Sequence, residues 1–172
     1  MIKKIINIAD GEIGLEIENE NKYTNANEFV NWCMIESFGE DKAKELLCQS
    51  NKDLTTNCYF AAKYYKNNAQ YYTIPQTGDQ IFIKNEFGEI SSTGIVTKVD
   101  EKYVYTDELD TNIVCSKMYE KNYSNIDGYG RPNYEELSEE NEKDDNENID
   151  LAPLTHDRSK AIKGENENEN NN

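Results

Sequence analysis

Hydrophobic and polar positions change period once along this chain. Ile2, Ile5, Ile6, Ala9 and Ile13 recur at helical spacing and predict a first helix over 2–13. Asn25 reads as the N-cap of a second helix, over about 26–37, with Glu28 three residues on as in a capping box. Phe29, Cys33 and Met34 are placed toward its core side, and Gly39 ends it. The stretch "EDKAKELLC" (40–48) predicts a short helix with Leu46 and Leu47 inward. Thr55 or Thr56 is positioned to cap a further helix through "NCYFAAKYYKNN".

Past Ile74 and Pro75 the period shortens. "GDQIFIKN" alternates Ile81 and Ile83 against Phe82, as a well-buried strand does. "TGIVTKV", "KYVYTDE", "NIVCSKMY" and "IDGYGRP" follow as strands, with "VDEKY" as a tight hairpin turn. Helices first and an antiparallel meander after predict an α+β domain, with N-terminal helices packed on a C-terminal sheet of about five strands.

Composition bounds that domain. Residues 138–172 hold eleven acidic residues, four basic ones and eight asparagines, which is −7 of the chain's −16. With so little apolar content the segment cannot offset the entropy of ordering. The domain is therefore predicted over 1–137 and a disordered acidic tail over 138–172. The remaining −9 argues against direct nucleic-acid binding, because phosphate contacts need a basic surface. It leaves room for a basic protein partner.

The start, "MIKKIINIADGEIG", does not read as a signal peptide, and no run approaches a membrane span. A cytoplasmic protein with reduced thiols and no membrane contact is expected. Cys33, Cys48, Cys58 and Cys115 match no zinc spacing, and His156, the only histidine, lies in the tail. No metal or other cofactor is expected.

The strand motifs carry a resemblance. "IPQTGDQIFIKN", "TGIVTKVDEKYVYT" and "IDGYGRPNY", in this order, together with "FVNWCMIESFG" and "AKELLC", resemble the CHAP branch of the NlpC/P60 superfamily. These are papain-like cysteine amidases and endopeptidases that cut peptidoglycan, often as phage endolysins. The likeness covers about residues 2–134. It implies a papain-like fold and, with the Asn, Lys, Ile and Glu bias, a phage or mobile-element origin in an AT-rich genome.

The resemblance also implies a site. Such a site needs a cysteine at a helix N-terminus, where the helix dipole favours the thiolate. A histidine on a facing strand handles the proton, and a polar group on the next strand orients it. Seven residues before Cys33 the nucleophile position holds Ala26. The histidine position, opening "STGIV", holds Ser92. Glu108 matches the family's glutamate, and Asp110 stands where an asparagine is usual. An engineered Cys→Ala change would explain Ala26 but not Ser92. Ser92 with Glu108 lacks a histidine or lysine between them and does not read as a catalytic unit. Glu108 and Asp110 share a strand face and read as solvated.

Three readings follow. The first is a catalytically inactive CHAP-like pseudoenzyme that binds a peptidoglycan fragment or a protein partner. Tyr23, Tyr71, Tyr72 and Tyr105 are candidates to line its groove. The second is an active peptidoglycan hydrolase using unassigned residues. The third is an acidic phage-encoded inhibitor of a host protein.

Overall fold

The first helix stops earlier than its apolar spacing predicts. The computed structural model describes residues 1–17 and 22–135, and in it α1 runs Ile2–Asp10. The Gly11 and Glu12 amides close the last turn onto Asn7 and Ala9 carbonyls. Ile5 and Ala9 are buried, while Ile13 lies beyond the helix and is exposed. Gly14, at φ 85°, then turns the chain onto the edge of the sheet.

Helix α2 (Ala26–Phe38) sits at the centre. Asn25 caps it as expected, its side chain accepting from the Asn27 and Glu28 amides. The expected capping box is altered: Glu28 Oε2 takes the Thr24 amide at 2.7 Å and the Thr24 hydroxyl at 2.6 Å, one residue further out. Phe29, Val30, Cys33 and Met34 fill the core. Asn27, Asn31 and Ser37 are also buried, so α2 is enclosed on more than its apolar side. Gly39, at φ 80°, separates α2 from α3 (Glu40–Leu46). Helix α4 (Cys58–Asn67) is capped by Asn57 and not by Thr55 or Thr56; Thr55 instead receives the Asn57 amide.

The sheet has six strands, not five. They are β1 (Tyr71–Tyr72), β2 (Gln80–Lys84), β3 (Ile90–Val99), β4 (Tyr103–Asp110), β5 (Ile113–Glu120) and β6 (Ile126–Gly130), all antiparallel, in the order β1-β6-β2-β3-β4-β5. Strand β6 leaves the meander and crosses back to lie between β1 and β2. The two-residue β1 is too short to announce itself by alternation. Segment 14–17 covers part of the β5 edge, with Gly14 N donating to Val114 O at 2.8 Å and Ile17 N to Asn112 O at 2.6 Å.

Both faces of the sheet are buried. Phe82, Ile95, Leu109 and Val114 join the helices in the main core. Ile81, Ile83, Val96, Val104 and Tyr129 form a second core on the opposite face. That explains why β2 is buried at four successive positions. Two glycines of β6 let neighbouring rings lie on its backbone: a Cβ at Gly130 would overlap the Tyr65 ring, and one at Gly128 the Tyr71 ring. The predicted tail, 138–172, and His156 lie outside the described residues. Among the described residues no helix is long and apolar enough to cross a membrane.

Candidate functional site

The first turn of α2 meets the sheet through Asn27, and Asn25 takes two of the free amides of that turn. Ala26 is half-buried there. The side chain that reaches the sheet is the next one, Asn27. Gln80 Nε2 of β2 donates to Asn27 Oδ1 at 3.1 Å and to Thr93 Oγ1 at 3.0 Å. Thr93 Oγ1 in turn donates to Ile81 O at 2.6 Å. Asn27 and Asn31 both donate to Thr55 O, at 2.6 and 2.9 Å, which fixes the loop before α4. The groups that meet between helix and sheet are thus amides and hydroxyls, with Gln80 Oε1 buried and unpartnered.

Register decides where Ser92 goes. Thr93 pairs with Phe82, whose ring lies in the helix-side core, whereas Ser92 pairs with Ile83 of the second core. Gly94, two residues on, pairs with Glu108. Ser92, Glu108 and Asp110 therefore share one face, and it is the face turned away from α2. Of the adjacent pair Ser92 and Thr93, it is Thr93 that faces the helix side, as Ile95 does further along β3.

Glu108 is not solvated, contrary to what the strand pattern predicts; it is fully buried. Thr106 Oγ1 donates to its Oε1 at 2.6 Å and the Tyr119 hydroxyl to its Oε2 at 3.1 Å. Lys117 of β5 stands 3.5 Å from Glu108 Oε2 and 2.8 Å from Asp110 Oδ2. Burial works against the Lys117 charge, but the Asp110 hydrogen bond and the two carboxylate fields outweigh it and raise its pKa. The Lys117 hydrogen bond holds Asp110 below the usual carboxylate range. Lys117 was not legible from sequence as a partner, since it comes from the next strand. The group is an ion cluster in which each carboxylate has a partner.

The thiols are equally quiet. Cys33 is buried under α2, and burial, then the Glu12 and Asp107 carboxylates, push its pKa far up. Burial also raises Cys48 and Cys58 to about 11. Burial also raises two carboxyls: Asp79, and more strongly Asp107, which lies on the helix side of β4 and is pushed up to about 7 by desolvation, with Asp10 and Glu108 adding to the rise against a hydrogen bond from Ser116. Its Oδ2 has no hydrogen-bond partner. Among the described residues no group of three His, Cys, Asp or Glu side chains is placed to hold a metal ion.

The four tyrosines expected to share a groove are scattered. Tyr23 is buried, its hydroxyl on Glu12 at 2.7 Å and its ring against Phe29 and Trp32. Tyr105 donates to Asp100 at the β3–β4 hairpin. Tyr71 packs on Phe82 and donates to Asp127. Tyr72 lies under the Arg131 guanidinium, at 4.1 Å, and lines a cavity of about 360 Å³ with Asp79, Gln76 and Tyr134. A larger cleft of about 530 Å³ lies between the start of α4, the β2–β3 hairpin and β6. Alternation along strands cannot reveal such a space, because its walls come from three elements.

No family model matches the sequence, and no curated protein matches it significantly. Solved structures do. The crystal structure of Ly7917 with the hydrolyzing product of MDP superposes with a TM-score of 0.58 at 14% identity, over 77% of this chain. The crystal structure of Ly7917 gives 0.57 at 13% identity over the same share. The chain shares its fold with Ly7917. It spans 62% of the length of either Ly7917 chain.

Proposed function

We propose that this protein is a CHAP-like pseudoenzyme that binds a peptidoglycan fragment without cleaving it. The observation that carries this reading is the α2–sheet junction. A thiolate–imidazole pair would have to stand there, and the side chains that meet are Asn27, Gln80 and Thr93. Ala26 offers a methyl group, and residues 1–135 contain no histidine. Neither an amide nor a threonine hydroxyl takes a proton at neutral pH. The ligand class is drawn from Ly7917, whose structure holds the hydrolyzing product of MDP, a peptidoglycan fragment.

The test is incubation of the protein with purified peptidoglycan and with MDP, following retention and product release separately. Retention without release is expected. Release of product by the native chain would overturn the reading in favour of an active hydrolase. Two double variants extend the test. Ala26→Cys with Ser92→His follows the sequence motif, and Ala26→Cys with Thr93→His follows the register. Activity is expected in the second before the first, because of these two positions 93 is the one on the helix side of the sheet.

A further inference from the structure

The 530 Å³ cleft has the composition of a ligand site and is used by nothing described above. Asn57 and Tyr59 from the start of α4, Gly88, Glu89 and Ile90 from the hairpin, and Lys66 and Asp127 line it. The Tyr59 ring is 54% exposed, and Phe87, next to the lining Gly88, is 79% exposed. A lining aromatic left half in water, with a second exposed aromatic beside the lining Gly88, points to a partner that covers them. The polar groups are paired in a particular way. Asp127 Oδ2 accepts from Lys66 Nζ at 3.0 Å and from the Tyr71 hydroxyl at 2.8 Å, which leaves Oδ1 as an acceptor. The Asn57 oxygen is spent on the α4 cap, so its NH2 remains to donate. Glu89 is steadied by Asn85 at 3.5 Å and adds acceptors.

With Lys66 and Asp127 paired, Glu89 is the one unbalanced charge of the lining, and the cleft offers hydrogen bonds in both directions. That suits an uncharged ring with hydroxyl and amide groups around its rim and an apolar face for Tyr59. We propose that this cleft binds the N-acetylated sugar of a peptidoglycan fragment, with Tyr59 as the stacking platform and Asp127, Glu89 and Asn57 holding the rim groups. This rests on the binding reading above and assigns it to a place in the fold and to the glycan portion of the ligand.

The experiment titrates the full chain with N-acetylglucosamine tetramer and, separately, with a stem pentapeptide, reading tyrosine-ring chemical shifts and heat. The tetramer is expected to bind and shift the Tyr59 signals. Tyr59→Ala is expected to weaken it at least tenfold, Tyr59→Trp to retain it, and Tyr72→Ala at the other cavity to leave it unchanged. No tetramer binding, binding of the pentapeptide alone, or equal affinity in Tyr59→Ala would each overturn the assignment. Retention on whole peptidoglycan separates the two levels. If native protein and Tyr59→Ala are retained equally, the cleft assignment fails and the binding reading stands. If neither is retained although the tetramer binds, the binding reading fails instead.

Discussion

Asp107 keeps a proton to about pH 7, where an unfolded aspartate would have lost it near pH 4. The folded state therefore holds one proton more than the unfolded chain between those values. Stability contributed by this group is complete at low pH, falls as pH rises from about 4 to 7, and stays low above that. Asp107→Asn removes the linkage. The variant is expected to exceed the native protein in stability at pH 8 by on the order of 2 kcal/mol, with the difference shrinking toward pH 4. Denaturant unfolding across that range checks it; parallel profiles would show that Asp107 is not the group responsible. Cys33 makes a complementary case. Its thiol is buried and its pKa raised, so the folded protein should resist thiol labelling there at neutral pH and take label only on unfolding. At the helix start, Asn25→Ala should cost about 1 kcal/mol, read from the thermal midpoint.

At the scale of elements, one ion pair ties the sheet's far end together. Arg131 follows β6 and donates from Nε to Asp79 Oδ1 and from Nη2 to Asp79 Oδ2, each at 2.9 Å. Its Nη2 also reaches Ile74 O at 2.9 Å, and Asp79 Oδ2 accepts the Gln76 amide at 2.7 Å. The turn before β2 and the exit of β6 thus share one bidentate contact. Asp79→Asn should destabilise by about 3 kcal/mol, since it strands a partly buried guanidinium. Chemical denaturation measures this, and a loss below about 0.5 kcal/mol would mean the pair is a surface contact.

Elements were legible where a local period wrote them. Helix α2 and its Asn25 cap were readable, as were β2 to β6, because each follows from neighbours in sequence. What depends on pairing was not. Lys117 meets Glu108 only once β5 is registered on β4, and Thr93 replaces Ser92 as the residue facing α2 only once β3 is registered on β2. The early end of α1 comes from the chain turning to cover the β5 edge, a contact about 100 residues away in sequence. Asn57 caps α4 because its Oδ1 takes the Tyr59 and Phe60 amides, while the Thr55 hydroxyl is held by the Asn57 amide one step earlier.

For the molecule as a whole, the fold class was readable and the cleft beside α4 was not. Helices packed on an antiparallel sheet follow from the order of the periods, and the likeness to Ly7917 supports that architecture. The second core behind the sheet is the less expected part, and it explains how Glu108 is enclosed on a strand that alternation alone would leave half wet. Net charge also bears on the whole molecule. At −16 the chain would bind a basic protein in a strongly salt-sensitive way. An uncharged glycan should not respond so, because it brings no charge for the salt to screen. Affinity for N-acetylglucosamine tetramer is expected to change less than threefold between about 50 mM and 500 mM salt, measured by calorimetry. A steep loss would favour an electrostatic partner.

The bare α-carbons of Gly128 and Gly130 set how near α4 and Tyr71 come to β6, and so how far the Tyr59 wall stands from Asp127. Neither glycine touches the space between those walls. The gauge of the opening is therefore adjustable from behind: one methyl added at position 130 would move the wall and leave every contact surface chemically as it was. Selection for a broader or narrower guest would have two places to act, one that changes what the guest touches and one that changes only how much room it has.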